Sequence, residues 1–352
     1  MKLGFGFYHH MLDQDSYRFA RQCGATHAVV HLVDYFHGGA GHTDSESQPI
    51  GDSSGWGTAG ATAHLWTCEN FLRIREEMAR EGLVLEAIEN FDPLHWHDVL
   101  LAGPKRDAQI EHLQAIVRDA GRAGIRTIGY NFSLAGVASR VSGPFARGGA
   151  LSVGMDAVDE TPIPSGMVWN MVYDIRAKGG EMPPTTQDQL WQRLEYFLKR
   201  MIPVAEEAGV RLALHPDDPP APYVRRQPRL VYQHRLYQRA LDLVPSWHNA
   251  LEFCLGTLME MPEGDIYETI EHYAAQDRIA YIHFRNVTGK VPRYREVFID
   301  EGDLDMRRVV RILEKTGYEG VLIPDHTPQM TCGAPWHAGM AYALGYMKGL
   351  LR

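Results

Sequence analysis

Residues 187–220 read QDQLWQRLEYFLKRMIPVAEEAGVRLALHPDDPP. They carry a helix, a strand and a loop in that order, and the repetition of this unit decides the fold. Gln187–Gly209 has apolar residues at helical spacing and stops at a glycine. Pro203 inside it is expected to kink the helix. From Arg211 an apolar strand begins, and it ends at His215. Pro216, Pro219 and Pro220 then stiffen the chain, because each fixes its own φ and restricts the residue before it. A plain surface turn would use the same Pro and Asp residues. A binding loop would need partners from other strand ends.

The unit recurs along the chain. Apolar, strand-like stretches are expected at Leu3–Phe7, His27–Val33, Leu83–Glu89, Ile125–Phe132, Ala250–Gly256, Arg278–Val287 and Gly320–Asp325. Helical spacing is expected between and after them, at Asp15–Gln22, Thr67–Glu81, Arg106–Ala123, Val231–Leu243, Asp265–Gln276, Asp303–Thr316 and Trp336–Leu351, with Asp303 as an N-cap. Alternation of this kind implies parallel strands with helices outside. Eight units predict an α/β fold, a (β/α)8 TIM barrel spanning 1–352 as one domain. Irregular insertions at about 34–62 and 133–186 would lie at the C-terminal face. A doubly wound sheet would show a glycine-rich phosphate turn after an early strand, and none is visible.

Composition narrows the partners. The chain has 352 residues, 45% hydrophobic and 22% charged, with 35 basic against 44 acidic side chains and a net charge of −9. No basic run extends beyond Arg225–Arg226, which argues against nucleic acid. No apolar run approaches the ~20 residues of a membrane span. The opening MKLGFGFYHH lacks the apolar core of a signal peptide, so a cytoplasmic protein is expected. Cys23, Cys68, Cys254 and Cys332 are far apart with no CxxC, so neither a disulfide framework nor a zinc ribbon is indicated. Nothing in this composition speaks against a homo-oligomer.

In a barrel of this type the chemistry sits at the C-terminal strand ends. Those ends supply His215, Cys254, His283 and Asp325, each about one strand–helix unit after the last. Two imidazoles, a thiolate and a carboxylate make a divalent metal site for Mn2+, Fe2+, Co2+ or Zn2+. Alone, each has an ordinary use: a core thiol, a hydrogen-bonded core histidine, a helix cap. Four such coincidences at successive strand ends weigh against those uses. Around them stand His326, a candidate acid or base, and Arg285, a candidate partner for a substrate carboxylate. Glu89, His31 and Asn131 are further candidates for the substrate, next to Tyr130. Asp217 and Asp218 either line the pocket or fix the loop.

The segments IRTIGYNF at 125–132, 194–220, LEFCLGT at 251–257, IHFRNV at 282–287 and GYEGVLIPDHTPQM at 317–330 together resemble the D-mannonate dehydratase family. The resemblance covers most of the chain from about Gly82 onward. It implies a (β/α)8 barrel, a divalent ion that is typically Mn2+, and loss of water from the sugar acid D-mannonate to give 2-keto-3-deoxy-D-gluconate. The family's ligands fall on His215, Cys254, His283 and Asp325, and His326 falls on a catalytic histidine. The family's catalytic Tyr falls on Ala341, so Tyr342, one residue later, is the candidate substitute. The N-terminal Tyr8, His9 and His10 are not the family's usual opening. Three rivals stand beside this reading: a metal-dependent sugar isomerase or epimerase using Glu89 as base, an endonuclease-like DNA-repair enzyme, against which the net charge of −9 argues, and a non-catalytic sugar-acid-binding or metal-binding protein.

Overall fold

A computed structural model describes residues 1–36 and 55–351. Eight parallel strands close a barrel: β1 (Lys2–Tyr8), β2 (His27–His31), β3 (Val84–Glu89), β4 (Thr127–Tyr130), β5 (Arg211–Leu214), β6 (Asn249–Cys254), β7 (Ile279–His283) and β8 (Val321–Ile323). They follow one another in chain order around the ring, and β1 closes it against β8. The expected (β/α)8 fold is therefore the observed one.

Strand alternation sorts the side chains. On β6, Leu251 and Phe253 face outward into the main core, whereas Ala250 joins a separate inner cluster with Val29, Ala87, Ala213, Val321 and Ile323. These inner side chains are short because the lumen is narrow. β1 and β4 place glycines there; a Cβ on Gly4 would come within 2.5 Å of Val321 Cγ1. The same alternation turns Glu252 and Cys254 of β6, Tyr281 and His283 of β7, and Ala87 and Glu89 of β3 inward. Cys254, His283 and Glu89 thus stand at the C-terminal ends of their strands.

The helices wrap the outside. Gln187–Ala208 starts with a capping box between Thr186 and Gln189 and stops at Gly209 in the left-handed region. Leu190, Leu194, Phe197 and Met201 form its buried stripe. The helix runs on through Pro203 to Ala208 as a single element, where a kink was expected.

Several boundaries differ from the sequence expectation, each for a physical reason. The helix expected from Val231 begins at Leu236, because the N–H groups of Leu230 and Val231 donate to Asp217 Oδ2 and hold that stretch as loop. β6 ends at Cys254 and a short helix, Leu255–Glu260, starts at once. The cap of the helix Met306–Lys315 is Asp305; Asp303 instead accepts the N–H of Gly289. Pro93–Leu101 is a helix the periodicity did not suggest, begun by Asp92 as N-cap and Pro93 in the first turn.

The insertion at 133–186 is not wholly irregular. Val141–Ala146 and Ala150–Met155 pair as antiparallel strands. A second hairpin, Val287–Lys290 with Arg293–Glu296, splits what was expected to be one long strand 278–287. Tyr294 pairs with Met155, which joins the two hairpins into a four-stranded sheet over the C-terminal end of the barrel. Of the insertion expected at about 34–62, residues 37–54 lie outside the described residues.

Candidate active site and metal centre

Register aligns the functional side chains. Tyr8, His31 and Glu89 are successive partners across β1, β2 and β3, and Cys254 pairs with His283 across β6 and β7. His215 follows β5, held by its N–H to the Tyr130 carbonyl at 2.9 Å. Its Nδ1 lies 2.5 Å from the Pro216 carbonyl oxygen, which leaves Nε2 for the barrel. The ligand atoms of His215, Cys254 and His283 all lie within 4.8 Å of one another. Asp325, the fourth expected ligand, is not one of that mutually close set. Its Oδ2 lies 3.6 Å from His283 Nδ1 and 3.2 Å from His326 Nε2.

The donor set fits a divalent transition ion. Cys254 is fully buried and accepts a hydrogen bond from Thr257 Oγ1 at 3.2 Å. Burial alone would raise its thiol, but Arg285 and hydrogen bonds with His215 and His283 hold it well below the ordinary value, as the thiolate a metal requires. His283 Nδ1 is buried and faces Asp325, 3.6 Å from its Oδ2. Asp325 is likewise held well below the usual carboxylate range against burial, by His326 and His283.

Beneath these groups lie two buried carboxylates. Glu89 Oε2 is 3.1 Å from His283 Nε2, 3.6 Å from His31 Nε2 and 3.2 Å from the Tyr281 hydroxyl. Glu252 is fully buried, with Oε1 3.2 Å from His283 Nε2 and 3.9 Å from His215 Nε2. Burial and the neighbouring Glu89 push the Glu252 carboxyl up; Glu89 goes down, because His31 and His283 outweigh burial. Sequence reading did not single out Glu252, although its place two residues before Cys254 was the available signal.

The pocket above is lined by His31, Glu89, Asn131, His215, His283, Asp325 and His326, all expected from the sequence. Tyr8 also lines it, and burial keeps its phenol protonated. Tyr35, Trp56 and Trp169 form an aromatic wall, with ring centroids 5.5 Å (Tyr35–Trp56) and 5.6 Å (Trp56–Trp169) apart. His326 is held at both nitrogens, with Nδ1 2.9 Å from Glu296 Oε2.

Cys254, Arg285 and Tyr342 are not among the lining residues. Arg285 is only 3% exposed, and its guanidinium bonds Glu296 at 2.5 Å, Glu260 at 3.0 Å and Asp218 at 3.3 Å. Its donors are taken by protein carboxylates, so it is not placed to receive a substrate carboxylate. Arg140, from the 133–186 insertion, lines the pocket instead and pairs with Asp218 Oδ2 at 3.4 Å. Nothing in its local sequence marked it. Tyr342 packs on Phe298 and accepts a hydrogen bond from Arg147 at 3.3 Å, away from the lining residues. The open question over Asp217 and Asp218 divides between them. Asp217 fixes the loop through Arg229, Leu230 and Val231, while Asp218 lines the pocket.

Comparison with known proteins agrees with this geometry. Residues 58–140 and 161–352 match the family model described as D-mannonate dehydratase (UxuA). A mannonate dehydratase of Streptococcus suis is 32% identical over 277 residues, 74% of each chain. Mannonate dehydratase 2 of Halalkalibacterium halodurans is 30% identical over 307 residues, 82% of this chain and 88% of that one. The crystal structure of mannonate dehydratase from Streptococcus suis serotype 2 superposes with a TM-score of 0.76 at 25% identity, over 100% of this chain and 94% of that one. D-psicose 3-epimerase from Clostridium cellulolyticum, at 11% identity and a TM-score of 0.57 over all of both chains, shares the fold.

Proposed function

The chain belongs to the D-mannonate dehydratase family, and from that premise we propose that its substrate is D-mannonate or a closely related aldonate. It is a hydro-lyase that dehydrates a sugar acid. The product of this reading is the 2-keto-3-deoxy acid. The observation that carries it is the gathering of His215, Cys254 and His283 at the floor of a pocket that also presents Arg140 and His326.

His215, Cys254, His283 and Asp325 would hold the divalent ion, with Mn2+ the first candidate. When bound, such an ion stabilises negative charge on substrate oxygens as a carbon acid is deprotonated. Arg140 receives the substrate carboxylate. His326 exchanges a proton at C2 or at the departing C3 hydroxyl, held in place by Asp325 and Glu296. Tyr8, kept as a phenol by burial, is the second donor in the pocket and takes the place first given to Tyr342. Asn131 and His31 supply further hydrogen bonds. The wall of Tyr35, Trp56 and Trp169 excludes water from the reacting carbons.

The isomerase reading needed Glu89 as a base; the family match favours dehydration instead. The deciding assay loads the protein with Mn2+, supplies D-mannonate and other aldonates, and traps 2-keto acid with semicarbazide. Sugar interconversion without keto acid, or tight binding without turnover, would overturn the proposal.

A further inference from the structure

The two nitrogens of His283 have opposite surroundings. Nε2 is hydrogen-bonded to Glu89 Oε2 at 3.1 Å, and Glu252 Oε1 stands 3.2 Å from the same nitrogen. Nδ1 is buried, and the Asp325 carboxylate lies 3.6 Å from it. A ligating imidazole is neutral and keeps one N–H, and the nitrogen 3.1 Å from Glu89 Oε2 is the one placed to donate it. His215 shows the reverse pattern, with Nδ1 against the Pro216 carbonyl and Nε2 toward the barrel.

The carboxylate side of His283 is a built feature. Glu89 closes β3 and is fixed by the Tyr281 hydroxyl at 3.2 Å. Glu252 comes from β6 and is 0% exposed, with Oε1 turned to the same His283 nitrogen. β4 makes room with Gly129; a Cβ there would collide with the Tyr281 hydroxyl and Glu252 Oε2. Two buried carboxylates are costly for stability alone. Histidines that bind metals commonly donate their second N–H to such a group, which fixes the ring and its tautomer.

We infer that His283 ligates the ion through Nδ1 while Glu89, backed by Glu252, accepts its Nε2–H, so that the two histidines of the centre use opposite nitrogens. Glu89 is thus a positioning residue acting through His283. The inference rests on the metal reading above, and its test separates the two.

The experiment is nitrogen NMR of 15N-histidine-labelled protein titrated with Zn2+, which is diamagnetic, with His283→Gln and His215→Gln variants to assign the signals. The expected result is a metal shift at Nδ1 of His283 and at Nε2 of His215, with a proton retained on the other nitrogen of each. In Glu89→Gln the His283 tautomer is no longer fixed, and metal affinity falls on the order of 10-fold or more. A metal shift at Nε2 of His283 overturns the assignment and leaves the metal site standing. No shift at either histidine overturns both. An unchanged tautomer and affinity in Glu89→Gln removes the positioning role.

Discussion

His326 Nε2 lies 3.2 Å from Oδ2 of Asp325, the residue before it in the chain. Chain neighbours rarely point their side chains at each other along a strand, but β8 has ended at Ile323 and the backbone is free to turn. Both side chains line the pocket. Replacing His326 with Asn should lower kcat by about 10²- to 10⁴-fold and leave bound Mn2+ unchanged. Turnover near that of the unaltered protein, with metal present, would remove His326 from the mechanism.

Cys254 is the proposed thiolate ligand, beside His215 and His283. Cys254→Ser should weaken Mn2+ binding by at least ~10-fold, read by equilibrium dialysis with metal analysis. Equal metal content in both proteins at limiting Mn2+ would mean that the sulfur is not a ligand.

The two arginines should separate by measurement. Arg140→Met should raise KM for the aldonate by roughly 10- to 100-fold, the loss of one charge-assisted pair, with little change in unfolding. Arg285→Met should act on stability, because Glu260, Glu296 and Asp218 would lose their shared cation in a buried site. The expected cost is about 3–5 kcal/mol in urea unfolding. The opposite pattern, KM rising only for Arg285→Met, would restore the role first given to that residue.

The tyrosines offer a similar contrast. Tyr342→Phe removes only a hydroxyl that accepts from Arg147, so kcat should change by less than about two-fold, as for most partly exposed sites. Tyr8→Phe removes a donor inside the pocket and should lower kcat by about 10-fold or more. A large loss for Tyr342→Phe would show that the last helix closes over the site during turnover.

Acid should weaken the folded state through Glu296. Burial opposes its ionisation, but His326 and Arg285 bring its carboxyl down to about 2. An unfolded Glu titrates near ~4.3. Its stabilising contribution is therefore complete above that value and is lost as pH falls toward about 2, amounting to about 2–3 kcal/mol. Asp218, lowered by Arg285 and Arg140 against burial, acts in the same direction. Metal-free protein unfolded in urea at pH 5 and pH 3 should show about half of this loss, reduced in Glu296→Gln. Equal losses in the two proteins would mean that other carboxylates govern the acid limb.

Much of the fold was legible because strand and helix repeat with different periods, and each barrel strand lies beside its sequence neighbour. The candidate ligands stood out for the same reason, since His215, Cys254, His283 and Asp325 each sit where an apolar run ends; the structure brings the first three within 4.8 Å of one another. The sheet over the barrel was not. Its central contact, Tyr294 with Met155, joins segments far apart in sequence whose local patterns are broken by Gly and Pro.

What the sequence determined by itself was therefore the barrel and the identity of the residues at its strand ends, because both follow from short-range periodicity. Which of those residues face the substrate was decided only by tertiary structure. Arg285 follows a ligand strand closely and reads as a substrate clamp, yet the hairpin after β7 brings Glu296 against it and uses up its charge. Arg140 reads as part of a loop, yet the same sheet region places it in the pocket. A buried charge is satisfied by whatever opposite charge packs against it, and those partners come from elements that no local pattern connects.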